Sequence, residues 1–266
     1  MSVVRRISWL LWLLTTFLVS SLVSSHHLTR HRREDTGPAS REVAHNVFSF
    51  TSTGLYISMF IITEDGVIVI DPDNVGHSRA MLAAIREKTR APIRYLIYSH
   101  NHWDHSKGGE VWKAEGATVV SHIEAYEFIR ANPSPGLVVP DLTWSGDRWD
   151  LRLGGLTLQL FYFGLSHGLG MTSFLLPQHR LGFIADTVTP GRLPFQYFPD
   201  FNIPGLERTL ENYLELEVDQ IVFSHSANTD PLEPGSKADL QFVLDYIQVL
   251  TLTVTVTGSP LSVGRM

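Results

Sequence analysis

One hexapeptide, residues 100–105 with the sequence HNHWDH, constrains this chain more than any other feature. It places three imidazoles and one carboxylate within six residues, in a chain with 12 His in total. The apolar residues 95–98 before it predict a buried strand, and the glycine pair after it predicts a turn. The chain has no Cys, so these side chains favour zinc, with iron or manganese as lesser alternatives. The fold must therefore deliver the end of a buried strand into a polar, metal-binding site.

The spacing within the hexapeptide predicts two places for its ligands. Side chains at positions i and i+2 leaving a strand point the same way, so His100 and His102 can reach one ion together. Asp104 and His105 follow as the backbone turns, and they can face a second ion beside the first. A pair of neighbouring metal ions at one strand end is the resulting hypothesis.

The chain resembles the metallo-β-lactamase-fold hydrolases here and at three later points. Their signature His-x-His-x-Asp-His is matched by residues 100–105, and the family then requires a His, an Asp and a last His, each after a strand. That order is met by GLSHG around His167, LGFIAD ending at Asp186, and IVFSHS around His225. The resemblance covers residues 43–246, most of the chain.

The resemblance implies a fold and a set of metal ligands. The fold is α/β, an αββα four-layer sandwich with the site where its two sheets end together. The cofactor implied is zinc, as two ions. The ligands are His100, His102 and His167 for the first ion, Asp104, His105 and His225 for the second, and Asp186 as a bridge or as a supporting residue behind the ligands.

The chemistry expected of such a site is hydrolysis. A bound metal lowers the pKa of water to about 7, which makes hydroxide available at neutral pH. A hydroxide shared by two zinc ions would attack the carbonyl of an ester, lactone, thioester or amide, a β-lactam among them. Asp104 is the candidate catalytic residue, because it would orient this nucleophile as well as bind metal.

Two other kinds of function use the same scaffold. One is a non-catalytic binding or structural protein, and such proteins usually lose ligands that are all retained here. The other is a mononuclear iron oxidoreductase of the persulfide-oxidising type, which needs fewer ligands. Retention of Asp104, His105 and His225 argues against both alternatives.

The length and pattern of the chain predict one catalytic domain. Its 266 residues, 44% of them hydrophobic, suffice for one sizeable core, and we place the domain at residues 45–250. Short apolar runs alternate with segments of helical spacing. Strands are expected at residues 47–51, 57–62, 67–70, 92–98, 118–120, 151–153, 156–160, 172–176, 182–185 and 220–223, and helices at 77–89, 110–115, 123–130, 203–216 and 237–246.

The two ends of the chain read differently from the domain. Residues 1–25 carry two Arg, an apolar run and small residues, which is typical of a cleaved signal peptide and of a secreted protein; an uncleaved signal anchor is the alternative. Residues 26–44 are polar and charged, as in a linker. Residues 251–266 alternate Thr with apolar residues, which indicates a β-prone or disordered tail.

The charge of the chain limits its partners. The net charge is −6 and no basic patch is interleaved with aromatic residues, so nucleic acid is not an expected partner. A small-molecule substrate is expected, and no stable membrane association once the signal is cleaved.

Several residues outside the ligand set have predicted roles. Asp71 ends a strand and would either hydrogen-bond a ligand His or cap a turn. Trp103 is expected to pack near the site and His122 to be structural. Loop 132–140 is either a plain connection or a lid. Loop 192–199 would either line a pocket, the reading we favour, or seal the core, and Tyr197 is a candidate substrate contact.

Overall fold

The computed structural model describes residues 37–194, 198 and 200–257, the last six of these by their backbone alone. The predicted signal peptide, most of the predicted linker, Tyr197 and the last nine residues of the predicted tail lie outside the described residues. Within the described residues, the chain forms twelve strands in two sheets and six α-helices. Every strand and helix predicted between residues 47 and 246 is present.

The first sheet contains the first seven strands, side by side in chain order. They are β1 (Ala39–Ala44), β2 (Val47–Thr51), β3 (Ser58–Thr63), β4 (Gly66–Ile70), β5 (Ile93–Ile97), β6 (Thr118–His122) and β7 (Leu142–Trp144). The strands β1 to β4 pair antiparallel, and β4 to β7 pair parallel. Parallel pairing brings the carboxyl ends of β4, β5 and β6 to one edge.

The second sheet contains five strands in the order β12-β11-β10-β9-β8. They are β8 (Arg148–Leu153), β9 (Leu156–Tyr162), β10 (Thr172–Leu176), β11 (Leu181–Ile184) and β12 (Gln220–Phe223). Only β11 and β12 run parallel among these described strands, so their carboxyl ends also meet at one edge.

The helices cover the outer faces of the sheets. They are α1 (Val75–Lys88), α2 (Trp103–Ser106), α3 (Gly109–Ala114), α4 (Ile123–Ala131), α5 (Ile203–Leu214) and α6 (Lys237–Thr257). Helix α1 begins where Oδ1 of Asn74 accepts a hydrogen bond from the backbone N–H of His77, an N-cap that satisfies one of the free donors of the first turn. Of the helices in the described part of the chain, none is long and apolar enough to span a membrane.

Alternation along the strands builds four layers. In β4, Val67 and Val69 pack under α1, whereas Ile68 and Ile70 pack against the second sheet. In the second sheet, Phe183 faces the first sheet and Ile184 faces α5 and α6. The apolar side chains thus form three layers of contact between four layers of secondary structure. The predicted αββα sandwich is confirmed.

Backbone hydrogen bonds join the two sheets at the edge where these strands end. The N–H of Thr172 donates to the carbonyl of Ser99 at 2.8 Å, and the N–H of Ile57 donates to the carbonyl of Ser224 at 2.8 Å. In each bond, one residue belongs to or adjoins a strand of the first sheet and the other belongs to or adjoins a strand of the second. Side chains that follow the strands at this edge are consequently held close together.

Three features differ from the expectations. Residues 39–44, assigned to the linker, form the edge strand β1. The sequence did not predict this strand, because a half-exposed edge strand lacks a full alternation of apolar and polar residues. The short strand β7 was missed for the same reason. Residues 251–257 continue α6 rather than forming a strand or disordered tail: extending an existing helix needs no new nucleus, so β-branched residues can be added to it at small cost.

Candidate metal centre

The seven predicted ligands come together at the shared edge of the sheets in two adjoining groups. One group is His100, His102, His167 and Asp186, and the other is Asp104, His105 and His225. Within each group one ligand atom per residue lies within 4.8 Å of all the others. The hexapeptide contributes to both groups, although β5 ends at Ile97 and the one-turn helix α2 carries Asp104 and His105.

Asp186 lies between the two groups. Its Oδ2 is 3.2 Å from Nε2 of His100 and 3.2 Å from Nε2 of His167, in the first group. Its Oδ1 is 3.1 Å from Nε2 of His105 and 3.0 Å from Nε2 of His225, in the second group. One oxygen therefore faces each group, which is the arrangement a bridging carboxylate requires.

The backbone at Asp186 is in the left-handed region, with φ of 53°. That conformation is uncommon for a residue with a Cβ, although Asp adopts it more readily than most, and such residues recur at active sites. The N–H of Asp186 donates to Oγ of Ser224, which in turn donates to Oδ1 of Asp186, at 3.1 Å each. Ser224 thus fixes the carboxylate from the neighbouring strand end.

Four of the five imidazoles are oriented by a hydrogen bond from the ring nitrogen remote from the centre. Nδ1 of His105 donates to Oδ2 of Asp71 at 2.8 Å, and Nδ1 of His225 donates to the carbonyl of Leu55 at 3.0 Å. Nε2 of His102 donates to Oδ2 of Asp200 at 2.6 Å. Nδ1 of His100 donates to Oγ of Ser99, whose own proton goes to Asp71. A neutral imidazole donates from one nitrogen only, so the nitrogen facing the centre carries a lone pair.

These lone pairs converge on a carboxylate, which is an arrangement that favours a cation. Nε2 of His100 and Nε2 of His105 are buried without a hydrogen bond of acceptable geometry, although Asp186 lies close to both. Burial would lower the pKa of His105, but the carboxylates of Asp186 and Asp71 outweigh it and hold that pKa well above the usual value. Without a metal ion His105 therefore carries a second proton on Nε2, which a bound cation would displace to use the lone pair. The site therefore favours positive charge at its centre, and the donor set of imidazoles and carboxylates fits a divalent metal.

Asp71 supports the ligand His105 through a hydrogen bond, which was one of its two predicted roles. Its Oδ1 accepts from the N–H of Ser99 at 2.7 Å, and its Oδ2 accepts from Oγ of Ser99 at 2.7 Å as well as from His105. The residue follows β4, has φ of 59° and is buried. The hydrogen bond to a ligand His is confirmed, and the turn-capping alternative is not needed to explain it.

The metal centre opens into a cavity of about 410 Å³. Both groups reach it, and so do further side chains from three loops. Those further side chains are Leu55, Tyr56, Thr189, Arg192, Phe201, Ser226 and Ala227. The pocket predicted for loop 192–199 is confirmed at Arg192, the only residue of that loop among the described lining residues.

The other residue predictions have mixed outcomes. His122 is buried and stacks on Tyr162 with ring centroids 4.1 Å apart, as a structural residue should. Loop 132–140 is a connection: Gly136 accepts from the N–H of Gly108, and the loop does not line the cavity among the residues described. Trp103 was expected to pack near the site, but its side chain is 56% exposed, with Nζ of Lys107 over its ring. Helix α2 turns Trp103 outward when it turns Asp104 and His105 inward.

The sequence analysis missed three side chains of the site. Asp200 orients His102, and Tyr56 and Phe201 pack on His225 and His167. None of them lies in a ligand motif, and each reaches the centre through the conformation of a loop. The only available signal was that Asp200 follows an aromatic, proline-containing loop after Asp186.

Comparisons with known proteins agree with this geometry. A family model described as the metallo-beta-lactamase superfamily matches residues 53–225. The 2,4-dinitroanisole O-demethylase subunit alpha of Nocardioides sp. (strain JS1661) is 31% identical over 163 residues. That match covers 59% of this chain and 49% of the other, so the chain spans about half the length of this relative.

Solved structures share the fold. A metallo-beta-lactamase from Pontibacter korlensis has a TM-score of 0.69 and 19% identity, over 79% of this chain and 99% of that one. The DIM-1 metallo-beta-lactamase exposed to ceftazidime has a TM-score of 0.68 and 16% identity, over 82% of this chain and 99% of that one. At these identities the likeness shows the fold alone.

Proposed function

The chain belongs to the metallo-β-lactamase superfamily, and on that premise we propose that it is a metal-dependent hydrolase that uses two zinc ions to hydrolyse small carbonyl compounds. The substrates proposed are esters, lactones, thioesters or amides. One observation carries the proposal: a single carboxylate, that of Asp186, is 10% exposed and presents one oxygen to each of two groups of ligands.

The protein side of this chemistry is positioning. A pair of divalent ions, when bound, supplies hydroxide at neutral pH and polarises the carbonyl under attack. Imidazoles fixed by Asp71, Ser99 and Asp200 keep their lone pairs aimed at the centre, so little reorganisation is needed on binding. Asp104 is half-buried and lines the cavity, where its carboxylate can accept a proton or a hydrogen bond from the attacking water.

Two further substrates follow from the relatives. Cleavage of a β-lactam is an amide hydrolysis, and the solved structures of the same fold include metallo-β-lactamases. The Nocardioides relative is named for removing a methyl group from an aryl ether. An electron-poor aryl methyl ether is therefore the second substrate class that we propose, since the same nucleophile would serve it.

The metal content of the purified protein tests the proposal. Two zinc equivalents per chain support it; one iron supports the mononuclear oxidoreductase, and no metal supports a binding protein. The variant His225→Gln should lose about one equivalent, because it removes a ligand of the second group only. The matched control His45→Gln changes an exposed imidazole outside the site and should retain both.

A substrate panel then tests the reaction. The metal-loaded protein is assayed with an ester, a lactone, a thioester, a β-lactam and 2,4-dinitroanisole, each with and without a chelator. Chelator-sensitive turnover of any carbonyl substrate supports the proposal. Turnover of none of the carbonyl substrates by fully loaded protein would reject it, and turnover of the ether alone would favour the second class.

We also propose that the chain is secreted after cleavage behind residue 25, because residues 1–25 have the pattern of a signal peptide. The mass of the protein exported by an expressing cell checks this. A mass that includes residues 1–25 would favour the signal anchor.

A further inference from the structure

Two aromatic side chains stand on opposite groups of the metal centre and line the same cavity. Tyr56 packs edge-on against His225, with ring centroids 5.0 Å apart and an interplanar angle of 66°. Phe201 packs on His167, with centroids 4.2 Å apart and an angle of 36°. Each aromatic ring thus packs on one ligand imidazole, and the two imidazoles belong to different groups. We refer to Tyr56 and Phe201 as the aromatic walls.

The backbone holds the wall formed by Phe201 in place. His167 and Phe201 form an isolated antiparallel bridge, and the N–H of Asn202 donates to the carbonyl of Ser166 at 2.9 Å. The residue is half-buried, so one part of its ring is packed and another part is open to the cavity. The position of this ring is therefore already fixed before a ligand binds.

The wall formed by Tyr56 is held in the same way. The residue before it accepts a hydrogen bond from Nδ1 of His225, and the residue after it donates its N–H to the carbonyl of Ser224. Tyr56 therefore sits between two connections to the loop that follows β12. A rigid aromatic surface binds at a lower entropic cost than one that must be immobilised.

The surroundings of the walls are also apolar. Leu55 lies next to Tyr56, lines the same cavity and has 60% of its surface exposed. Large exposed apolar side chains beside a cavity are typical of a binding surface. A short acyl group such as acetyl would leave these surfaces in water.

We propose that the site selects substrates that carry an aromatic ring beside the bond to be cleaved, and that the ring binds against the aromatic walls. The inference rests on the proposed hydrolysis and adds the class of substrate. A planar ring gains from offset or edge-to-face contact with the walls, which an aliphatic ring of similar size cannot match.

Three thioesters with one leaving group isolate this preference. The S-ethyl thioesters of acetic, cyclohexylacetic and phenylacetic acid all release ethanethiol, which a thiol reagent measures; the protein has no Cys to react with that reagent. For the metal-loaded enzyme, kcat/KM should be highest for the phenylacetyl ester. The phenylacetyl to cyclohexylacetyl ratio should be about two- to tenfold, the size of one aromatic contact. A ratio of one would overturn the inference.

Variants of the walls locate the source of the preference. Phe201→Ala and Tyr56→Ala should each reduce the phenylacetyl to cyclohexylacetyl ratio toward one, at the metal content of the wild type. Phe201→Tyr and Tyr56→Phe keep an aromatic ring and should keep the ratio. Phe242→Ala, on the exposed side of α6 and outside the cavity, is the matched control. A ratio that survives in both Ala variants would overturn the inference.

Binding separates failure of this inference from failure of the hydrolysis. If no thioester is turned over, calorimetry of the metal-loaded protein with phenylacetate and cyclohexylacetate still tests the walls, because both carry the same carboxylate. Tighter binding of phenylacetate that is lost in Phe201→Ala supports the inference. Equal affinities would overturn it, whatever reaction the site performs.

Discussion

Single residues around the metal centre differ in how much the protein depends on them. Asp71 and Asp200 each accept a hydrogen bond from a ligand imidazole, but the side chain of Asp71 is 3% exposed and that of Asp200 is 65% exposed. Water can replace an exposed acceptor at little cost, whereas a buried donor left without its partner loses the whole hydrogen bond. Burial, not the shared chemistry, should therefore decide their importance.

The same substitution at both positions tests this reasoning. Asp71→Asn should weaken metal binding about 10- to 100-fold, because the anion that orients His105 is lost. Asp200→Asn should weaken it less, by a few-fold at most. Competition with a chromophoric chelator measures both affinities, and circular dichroism reports the fold. Equal losses in the two variants would contradict the argument from burial.

Asp104 is the residue on which turnover should depend most. Asp104→Asn keeps the shape of the side chain but removes its charge and its capacity to take a proton. We expect kcat/KM to fall at least about a hundredfold while the protein remains folded. Steady-state kinetics at matched metal content is the measurement. Near-full turnover by a folded, metal-loaded Asp104→Asn protein would show that the residue has no such role.

His77 should make stability depend on pH. It is buried between Ser58 and Ser52, at 2.9 and 3.0 Å, and burial lowers its pKa to about 4 from 6.5. Between pH 6.5 and pH 4, His77 is protonated in the unfolded chain but neutral in the folded chain. The contribution of His77 to the free energy of unfolding is therefore full above pH 6.5 and is lost as the pH falls toward 4. The loss amounts to about 3 kcal/mol, at about 1.4 kcal/mol for each pKa unit.

Comparison with a variant separates His77 from its neighbour. Burial raises the pKa of Asp73 to about 6, which acts in the opposite sense because stability then falls as the pH rises through that value. Urea unfolding in excess chelator, at pH 7 and pH 4.5, should show a smaller acid loss for His77→Gln than for the wild type. The exposed His45→Gln should behave as the wild type does. An unchanged acid loss in His77→Gln would exclude this residue as the cause.

The sequence predicted the residues of the site unevenly. The seven candidate ligands could be found because they follow strands in a fixed order, and the structure brings all seven together. Asp200, Tyr56 and Phe201 could not be found, because their contacts with the site depend on how loops fold back. No local pattern encodes such a contact.

At the scale of elements, the contact between β11 and α5 shows how one strand accepts a helix. Gly182 in β11 lies under the ring of Tyr213 in α5, and a Cβ at Gly182 would collide with the hydroxyl of that ring. The hydroxyl donates to the carbonyl of Phe174 at 2.7 Å, so it cannot move away without losing a buried hydrogen bond. The missing side chain is thus part of the packing.

A double-mutant cycle tests this contact. Gly182→Ala should destabilise the protein by about 1–3 kcal/mol through overpacking. Tyr213→Phe removes the colliding oxygen, so the double variant should be more stable than the sum of the two single effects predicts. Urea unfolding of the four proteins provides the free energies. Simple additivity would mean that the hydroxyl is not what Gly182 accommodates.

The predictability of an element depended on its place in the fold. Strand β4 is buried on both faces and bounded by turns, so its apolar run was plain in the sequence. Strands β1 and β7 lie at the edges of the first sheet and are partly exposed, so their patterns were weak. Residues 251–257 were predicted not to be helical because their β-branched composition was weighed without the helix that leads into them.

For the whole molecule, the metal centre is a junction between the two sheets. Strands β4 and β5 position Asp71 and the hexapeptide, while β11 and β12 position Asp186 and His225. The fold class could be predicted because the motifs follow each other in the order of one family. How the loops enclose the cavity could not be predicted, since the conformation of each loop depends on its contacts with residues from both sheets.

Removal of metal should therefore destabilise the whole described domain. A ligand at a thousandfold excess over its dissociation constant stabilises a fold by about 4 kcal/mol. For a protein of this size that is a shift in Tm of roughly 10 °C. Calorimetry with zinc and with chelator measures it, and Asp186→Asn should respond less to zinc than the wild type. Identical Tm values with and without metal would show that the centre does not join the sheets energetically.

The carboxylate of Asp186 has a consequence for how the centre fills. Because its two oxygens serve different sets of imidazoles, rotating the side chain to improve one set of distances lengthens the other. An ion bound by one group of ligands would change the electrostatic field and the position of the Asp186 carboxylate at the other group. We therefore expect the binding of two ions to be coupled rather than independent, so that cobalt held by one group of ligands should change colour when the adjacent group is occupied.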